Sequence, residues 1–272
     1  DAGGSLGAAL AFWYKELGKK RILESGEDQM RGSYLGPSFD DHQIEKTLKL
    51  LNGKYTKLDE ENLISTIADE IKNGKVVGWF QGSMEFGPRA LGARSIIADP
   101  RSEEMQKKLN LKVKFRESFR PFAPSILRED LNDWFDLNQD SPYMLLVADV
   151  QKKIQIPIAE KDQKLFGIDK LNVKRSSIPA VTHIDYSARI QTVHEKTNPK
   201  YYKLLKKFKE ITNCPVLVNT SFNIRGEPIV CTVEDAFRCF MGTNLDILVC
   251  GNFILNKSDQ NIKLKKNKFT RD

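Results

Sequence analysis

The chain has 272 residues, 40% hydrophobic and 29% charged, with 17 glycines and 11 prolines, which is enough apolar length for one large core or two small ones and excludes collagen-like, wholly disordered and disulfide-stapled miniature classes. No apolar run approaches the roughly 18 residues of a bilayer span and no basic leader with a cleavage site is present, so a cytoplasmic protein is expected. The net charge is +7, and residues 257–272 carry four of it through Lys257, Lys263, Lys265, Lys266, Lys268 and Arg271 against Asp259 and Asp272, the composition of a solvated terminus.

In chain order, DAGGSLGAA runs from a glycine-rich turn into a helix expected over 5–17, and residues 25–40 are dense in Gly, Ser, Pro and Asp, as a loop or linker is. Asp59 caps a helix in which Leu63, Ile67 and Ile71 share a face, and Gly74 follows its end. Strands are expected at 75–80, 94–98, 143–148, 189–193, 215–219 and 246–250, and helices at 102–111, 200–211 and 232–241, the last opened by a Thr232/Asp235 capping pair. The alternation predicts an α/β sheet packed by helices. Cys214, Cys231, Cys239 and Cys250 form no C-x-x-C pair and sit in apolar stretches, as reduced buried thiols do; with three dispersed histidines, no complete zinc site is expected.

Three segments carry chemistry. Residues 81–95, QGSMEFGPRALGARS, space Gly82, Gly87 and Gly92 five apart around Arg89 and Arg94. Glycines let backbone amides approach an anion and arginines grip it bidentately, so this reads as an oxyanion cradle. The plainer alternative is a surface turn with solvated arginines. It is not a Walker A loop, because Pro88 and Arg89 follow Gly87. Residues 114–125, KFRESFRPFAPS, interleave Lys114, Arg116 and Arg120 with Phe115, Phe119 and Phe122. If extended and stiffened by Pro121 and Pro124, the three cations share a side and meet one polyanion; a single-stranded nucleic acid groove or simple packing also suits the pattern. Residues 219–227, NTSFNIRGE, leave the apolar PVLVN strand with Asn219, Thr220, Ser221, Asn223 and Arg225, where an α/β sheet places its ligand, or where turn and capping residues are needed. His183 and Asp185, two apart in VTHIDYSARIQTV, lie on one strand face as an acid/base pair or as structural, substrate-orienting groups.

FGPRALGARSIIADPR, FRESFRPFAPSIL, VTHIDYSARIQTV and LVNTSFNIRGEPIV together resemble the C-terminal domain of the O-carbamoyltransferases, the group of nodulation-type and antibiotic carbamoyltransferases, over about residues 32–255. The resemblance implies an α/β fold, a twisted mixed sheet with packed helices of the YrdC/Sua-like kind. It implies a division into 1–26, the end of an actin-like N-terminal domain; 27–58, a linker; 59–256, a carbamoyl-adenylate-forming domain; and 257–272, a basic tail. Carbamoyl phosphate and ATP, with Mg2+ accompanying ATP, are then condensed to carbamoyl adenylate, which a second domain transfers to a hydroxyl acceptor. Lys114, Arg120, Ser221 and Asn223 match the catalytic pattern, while Arg89, Arg94, Arg116, Asn219 and Arg225 are expected to join them in holding ATP and carbamoyl phosphate; His183 and Asp185 stay candidates for orienting substrate. The iron site of such enzymes belongs to the N-terminal domain, and Asp1 matches its one ligand in this chain, which looks like the C-terminal part of a longer enzyme. A homodimer is kept open; neither membrane nor nucleic acid is an expected partner. The alternative is a YrdC-like nucleotide- or RNA-binding module without carbamoyl transfer.

Overall fold

The computed structural model describes residues 3–22 and 28–261. Helix α1 (Gly4–Ala11) runs into a π-helical turn at Phe12–Glu16, and neither buries a residue. Helix α2 (Asp41–Leu50) opens with a capping box between Asp40 and Gln43 and buries Ile44 and Leu48. Strand β1 (Thr56–Lys57) precedes helix α3 (Glu60–Lys72), whose N-terminus is capped by Asp59 as expected and whose apolar face of Leu63, Ile64, Ile67, Ala68 and Ile71 is buried. There follow β2 (Val77–Phe80), β3 (Arg94–Ala98), α4 (Met105–Lys112), β4 (Ala123–Leu127), α5 (Leu131–Trp134), β5 (Leu146–Asp149), the short α6 (Glu160–Gln163) and α7 (Gly167–Leu171), and β6 (Ser187–Val193). Helix α8 (Pro199–Thr212), β7 (Val216–Ser221), α9 (Val233–Gly242), β8 (Ile247–Cys250) and β9 (Phe253–Asn256) complete the described fold. Thr232 and Asp235 form the expected reciprocal cap of α9.

The strands make one mixed sheet in the order β1-β9-β8-β2-β3-β7-β4-β6-β5, with β2/β8 and β4/β6 parallel and the other pairs antiparallel. Helices α3 and α8 pack on each other, with α8 against β4 and β7, while α9 packs on β2, β8 and α2. The mixed α/β sheet with packed helices is therefore the architecture expected from the alternation of elements. Cys214, Cys239 and Cys250 are buried and all four thiols are free, with burial pushing those three thiols up to about 12.

Two expectations change. The stretch 27–58, read as a linker, carries α2 and β1: Thr56 and Lys57 pair with Ile254 and Phe253 at the sheet edge, and α2 packs on α9. Strand β4 was masked by Pro124, which cannot donate to a ladder. Pro124 is tolerated because it is the strand's second residue, opposite Val218, and the parallel pairing to β6 begins only at Ser125.

Candidate functional site

Helix α4 ends at Lys112, and three residues on Phe115 adopts the left-handed region (φ 49°), so the chain turns there instead of running on extended. This corrects the expectation that Lys114, Arg116 and Arg120 share one side of a straight segment. Lys114 turns inward, 3% exposed, and donates to Ser221 and Asn223. Its Nζ meets the Ser221 carbonyl, Ser221 Oγ at 3.2 Å, the Asn223 carbonyl at 3.0 Å and Asn223 Oδ1 at 2.8 Å. Ser221 Oγ also donates to Asn223 Oδ1 at 2.7 Å, and the Arg225 amide donates to the Lys114 carbonyl at 3.2 Å. Two segments a hundred residues apart in sequence are thus locked together where β7 ends. Burial, then the nearby charge of Arg116, brings the Lys114 ammonium down to about 7.

The other cations of this segment ring that junction. Arg116 donates to Asn110 Oδ1 at 2.7 Å and lies 5.0 Å over the Phe122 ring, and burial followed by Arg120 lowers its guanidinium from the usual value. Arg120 and Arg225 are half-exposed and share one carboxylate, Glu117, at 2.9 and 3.3 Å. Lys114, Arg116, Arg120, Ser221, Asn223 and Arg225 are therefore brought together.

Arg89 has a different companion. Its Nε is buried without a hydrogen-bond partner, and so is that of Arg189 on β6. Burial and, after it, the charge of Arg89 lower the Arg189 guanidinium, so the two charges are near enough to repel; Arg189 Nη2 meets Met144 Sδ at 3.9 Å, and among the described residues neither arginine has a carboxylate partner. Such a pair is favourable when an anion sits between its members. The sequence reading passed over Arg189; the signal was an arginine inside the otherwise apolar strand SARIQTV. Gln191, on the same face of β6, and Asn219 donate to the carbonyls of Leu91 (2.8 Å) and Ala90 (3.1 Å), which holds the Arg89 loop on the sheet.

Two further assignments are corrected. Arg94 is fully buried, its two terminal nitrogens bonded to the carbonyls of Gln81 (2.9 Å), Gly82 (3.2 Å), Ala93 (3.2 Å) and Pro37 (2.9 Å) over the Phe80 ring while its Nε has no partner, so it braces the loop. Asn219 is 1% exposed, its Nδ2 donating to Ala90 and Gln191 while its Oδ1 is buried without a partner, so it supports the Arg89 loop. The glycine-rich cradle exists, but its anion is the protein's own: the buried Glu85 carboxylate accepts from the amides of Leu91 (2.7 Å), Ala93 (2.7 Å) and Arg94 (3.2 Å). The segment read as a linker helps hold this loop through Ser33, which donates to the Phe86 carbonyl, and Tyr34, which donates to that of Leu91.

His183 and Asp185 fall in a turn before β6, not on a strand face, and they meet through Ser187: its Oγ donates to Asp185 Oδ1 at 2.7 Å and lies 3.3 Å from His183 Nδ1. Burial holds His183 below the usual histidine range. His183 lines an apolar cleft of about 480 Å³ with Phe119, Pro121, Leu171, Ala180 and Ile184. Phe119 and Pro121 flank Arg120 in sequence, so the cleft adjoins that end of the basic segment. Asp1 lies outside the described residues, as does most of the basic tail. Among the described residues no group of three or more His, Cys, Asp or Glu is placed to hold a metal. No described helix is long and apolar enough to cross a membrane.

Comparison with known proteins agrees with the motifs. The chain is 41% identical to nodulation protein NolO of Bradyrhizobium diazoefficiens over 94% of its own length and 43% of that protein. It is 35% identical to the 3'-hydroxymethylcephem-O-carbamoyltransferase of Streptomyces clavuligerus over 72% of this chain and 32% of that one. The chain thus spans less than half the length of these relatives. Among solved structures, full-length HypF in its phosphate- and nucleotide-bound form matches with a TM-score of 0.46 and 16% identity, covering 75% of this chain and 23% of that one. The carbamoyltransferase C-terminus family model matches residues 68–257, which include every strand except the edge strand β1 and all the cations of both groups, and on that match the chain belongs to the carbamoyltransferase C-terminal family.

Proposed function

We propose that this chain forms carbamoyl adenylate from carbamoyl phosphate and ATP, for transfer to a hydroxyl acceptor by an iron-bearing domain outside the described residues. The observation that carries the reading is the convergence of Lys114, Ser221 and Asn223 with Arg116, Arg120 and Arg225, together with a second pair, Arg89 and Arg189, whose buried Nε atoms have no hydrogen-bond partner. Two polyanions need two such groups, because phosphates are bound and turned over through preorganised charge. Water cleaves carbamoyl phosphate to carbamate and phosphate; a carbamate oxygen then attacks the α-phosphorus of ATP, and the bond to pyrophosphate breaks. Lys114 and the arginines neutralise the phosphates, Ser221 and Asn223 orient them, and Mg2+ accompanies ATP. The apolar cleft beside Arg120 and His183 is of a size and lining suited to the base. Relatives that are longer proteins, one of them named for O-carbamoyl transfer to a hydroxymethyl group, support the division of labour.

The test is an assay of the chain with ATP and carbamoyl phosphate. Pyrophosphate release that needs carbamoyl phosphate, and that falls by a factor of about 10² or more in Asn223→Ala with its fold intact, is the expected result. ADP formation without pyrophosphate, or an O-carbamoylated alcohol made by this chain alone, would overturn it.

A further inference from the structure

Glu117 has no part in that chemistry, yet it sits at its centre. Its carboxylate divides between two guanidiniums: Oε2 is 2.9 Å from Arg120 Nε and Oε1 is 3.3 Å from the Arg225 NH1 nitrogen. Arg120 follows Glu117 by three residues, and the turn between them is closed by the Arg120 amide reaching the Glu117 carbonyl. Arg225 comes from the far side, on the loop after β7, tied to the same segment through the Lys114 carbonyl. All three side chains are exposed by a third or more, so the ion pairs stand at the mouth of the site and not in the core. Two oxygens bridging two guanidiniums is the arrangement an oxyanion of a phosphate would make with the same pair.

We propose that Glu117 is a specificity-determining residue, an internal stand-in whose carboxylate holds Arg120 and Arg225 converged until a phosphate of the substrate displaces it. The inference rests on the reading that these two arginines hold a substrate phosphate. Any ligand that uses them must first open both ion pairs, so weakly charged anions are turned away, and a polyphosphate, with more charge to offer, displaces the carboxylate. When pyrophosphate leaves, Glu117 returns and neutralises the pair, which favours departure over rebinding. Exposed ion pairs are individually weak, which is what an exchangeable stand-in requires: a buried bridge would be too costly to open.

The experiment compares pyrophosphate binding by calorimetry in wild type, Glu117→Gln and Glu117→Asp. Glu117→Gln is expected to bind pyrophosphate about three- to tenfold tighter at low salt, with the difference shrinking toward 0.5 M salt, on the order expected for exposed charges. Glu117→Asp, shorter by one methylene and able to reach one arginine at a time, falls between. In an Arg225→Ala background the gain from Glu117→Gln shrinks. Melting temperatures distinguish this from a structural role: the Gln variant is as stable as wild type or slightly less so while binding tighter, whereas a merely structural glutamate would lose both together. Equal or weaker pyrophosphate binding by folded Glu117→Gln overturns the proposal. Pyrophosphate bound tighter by the variant, in a protein that makes no pyrophosphate from ATP and carbamoyl phosphate, would leave Glu117 as proposed and overturn the proposed reaction instead.

Discussion

Lys114 sits where burial opposes charge and ligand binding demands it. Its ammonium titrates at about 7 in the fold against 10.5 in the unfolded chain, so between those values the unfolded chain holds a proton that the fold has lost, and stability from this group rises with pH across that window. Below about 7 both states are protonated and the full burial penalty applies. Lys200 and Lys257, brought to about 8 mainly by burial, add to the same rise, so the comparison must be with a variant. In thermal melts from pH 6 to 10 the wild type should gain stability relative to Lys114→Met as pH increases. Its affinity for an anion should move the other way, weakening through pH 7 to 9 as the charge is lost. A gain that is identical in the two proteins would mean that Lys114 keeps its proton. At this scale the residue types were legible and their duties less so. Lysine, serine and asparagine at 114, 221 and 223 were grouped by the resemblance, and in the fold they meet, which neither segment shows by itself. Arg94 looked like Arg89 in sequence, and only the carbonyls of Gln81, Gly82 and Pro37 around it show that it braces a loop.

Within the elements, the Arg89 loop shows why one glycine matters more than another. Gly92 has φ 99°, and a Cβ there would lie 2.2 Å from the ring of Tyr201, a fully buried residue of α8 that cannot withdraw. Gly82 also has positive φ (51°) but open space around it. Gly92→Ala should therefore lower stability by about 2–4 kcal/mol, from strain and overpacking combined, and lift Arg89 off the sheet, whereas Gly82→Ala should cost about 1 kcal/mol for its backbone alone. Urea unfolding of the two variants, with anion titration of each, checks both halves; equal losses would show that the Tyr201 contact yields. The five-residue glycine rhythm was visible in sequence, but its purpose was not. It appeared to make room for a ligand's oxygens, and it makes room for Glu85 and Tyr201, whose approach depends on elements before and after it. Strand β4 was hidden for a comparable reason: a proline early in a strand is acceptable only in view of where the next ladder begins. The helices α3, α8 and α9 needed no such context, because cap and apolar face are local.

At the scale of the molecule, the region between 41 and 57 belongs to the folded body. Ile44 and Leu48 of α2 are buried in the main core, and β1 covers the free edge of β9. A chain starting at Asp59 should lose cooperative unfolding or aggregate through β9, while one starting at Ser38 should also suffer, since the Pro37 carbonyl that accepts from Arg94 and the Tyr34 hydroxyl that donates to Leu91 would be gone. Gel filtration and calorimetric melts of both, beside the whole chain, test this; a fully cooperative melt from the chain starting at Asp59 would restore the linker reading.

The order of the strands has a consequence for how the protein comes into being. Strands β2 and β3 are neighbours in sequence, yet their outer partners are β8 and β7, near the other end of the described chain. On a ribosome, then, the central hairpin emerges with both of its edges unsatisfied and waits for most of the remaining chain before either is closed. Closing such distant pairs makes folding slow and leaves apolar edges exposed meanwhile. The segment bearing Lys114 waits too, because the oxygens that receive its ammonium belong to Ser221 and Asn223. Synthesis in the cell should accordingly depend on chaperones that shield this hairpin, and the binding site should be among the last parts of the molecule to acquire its shape.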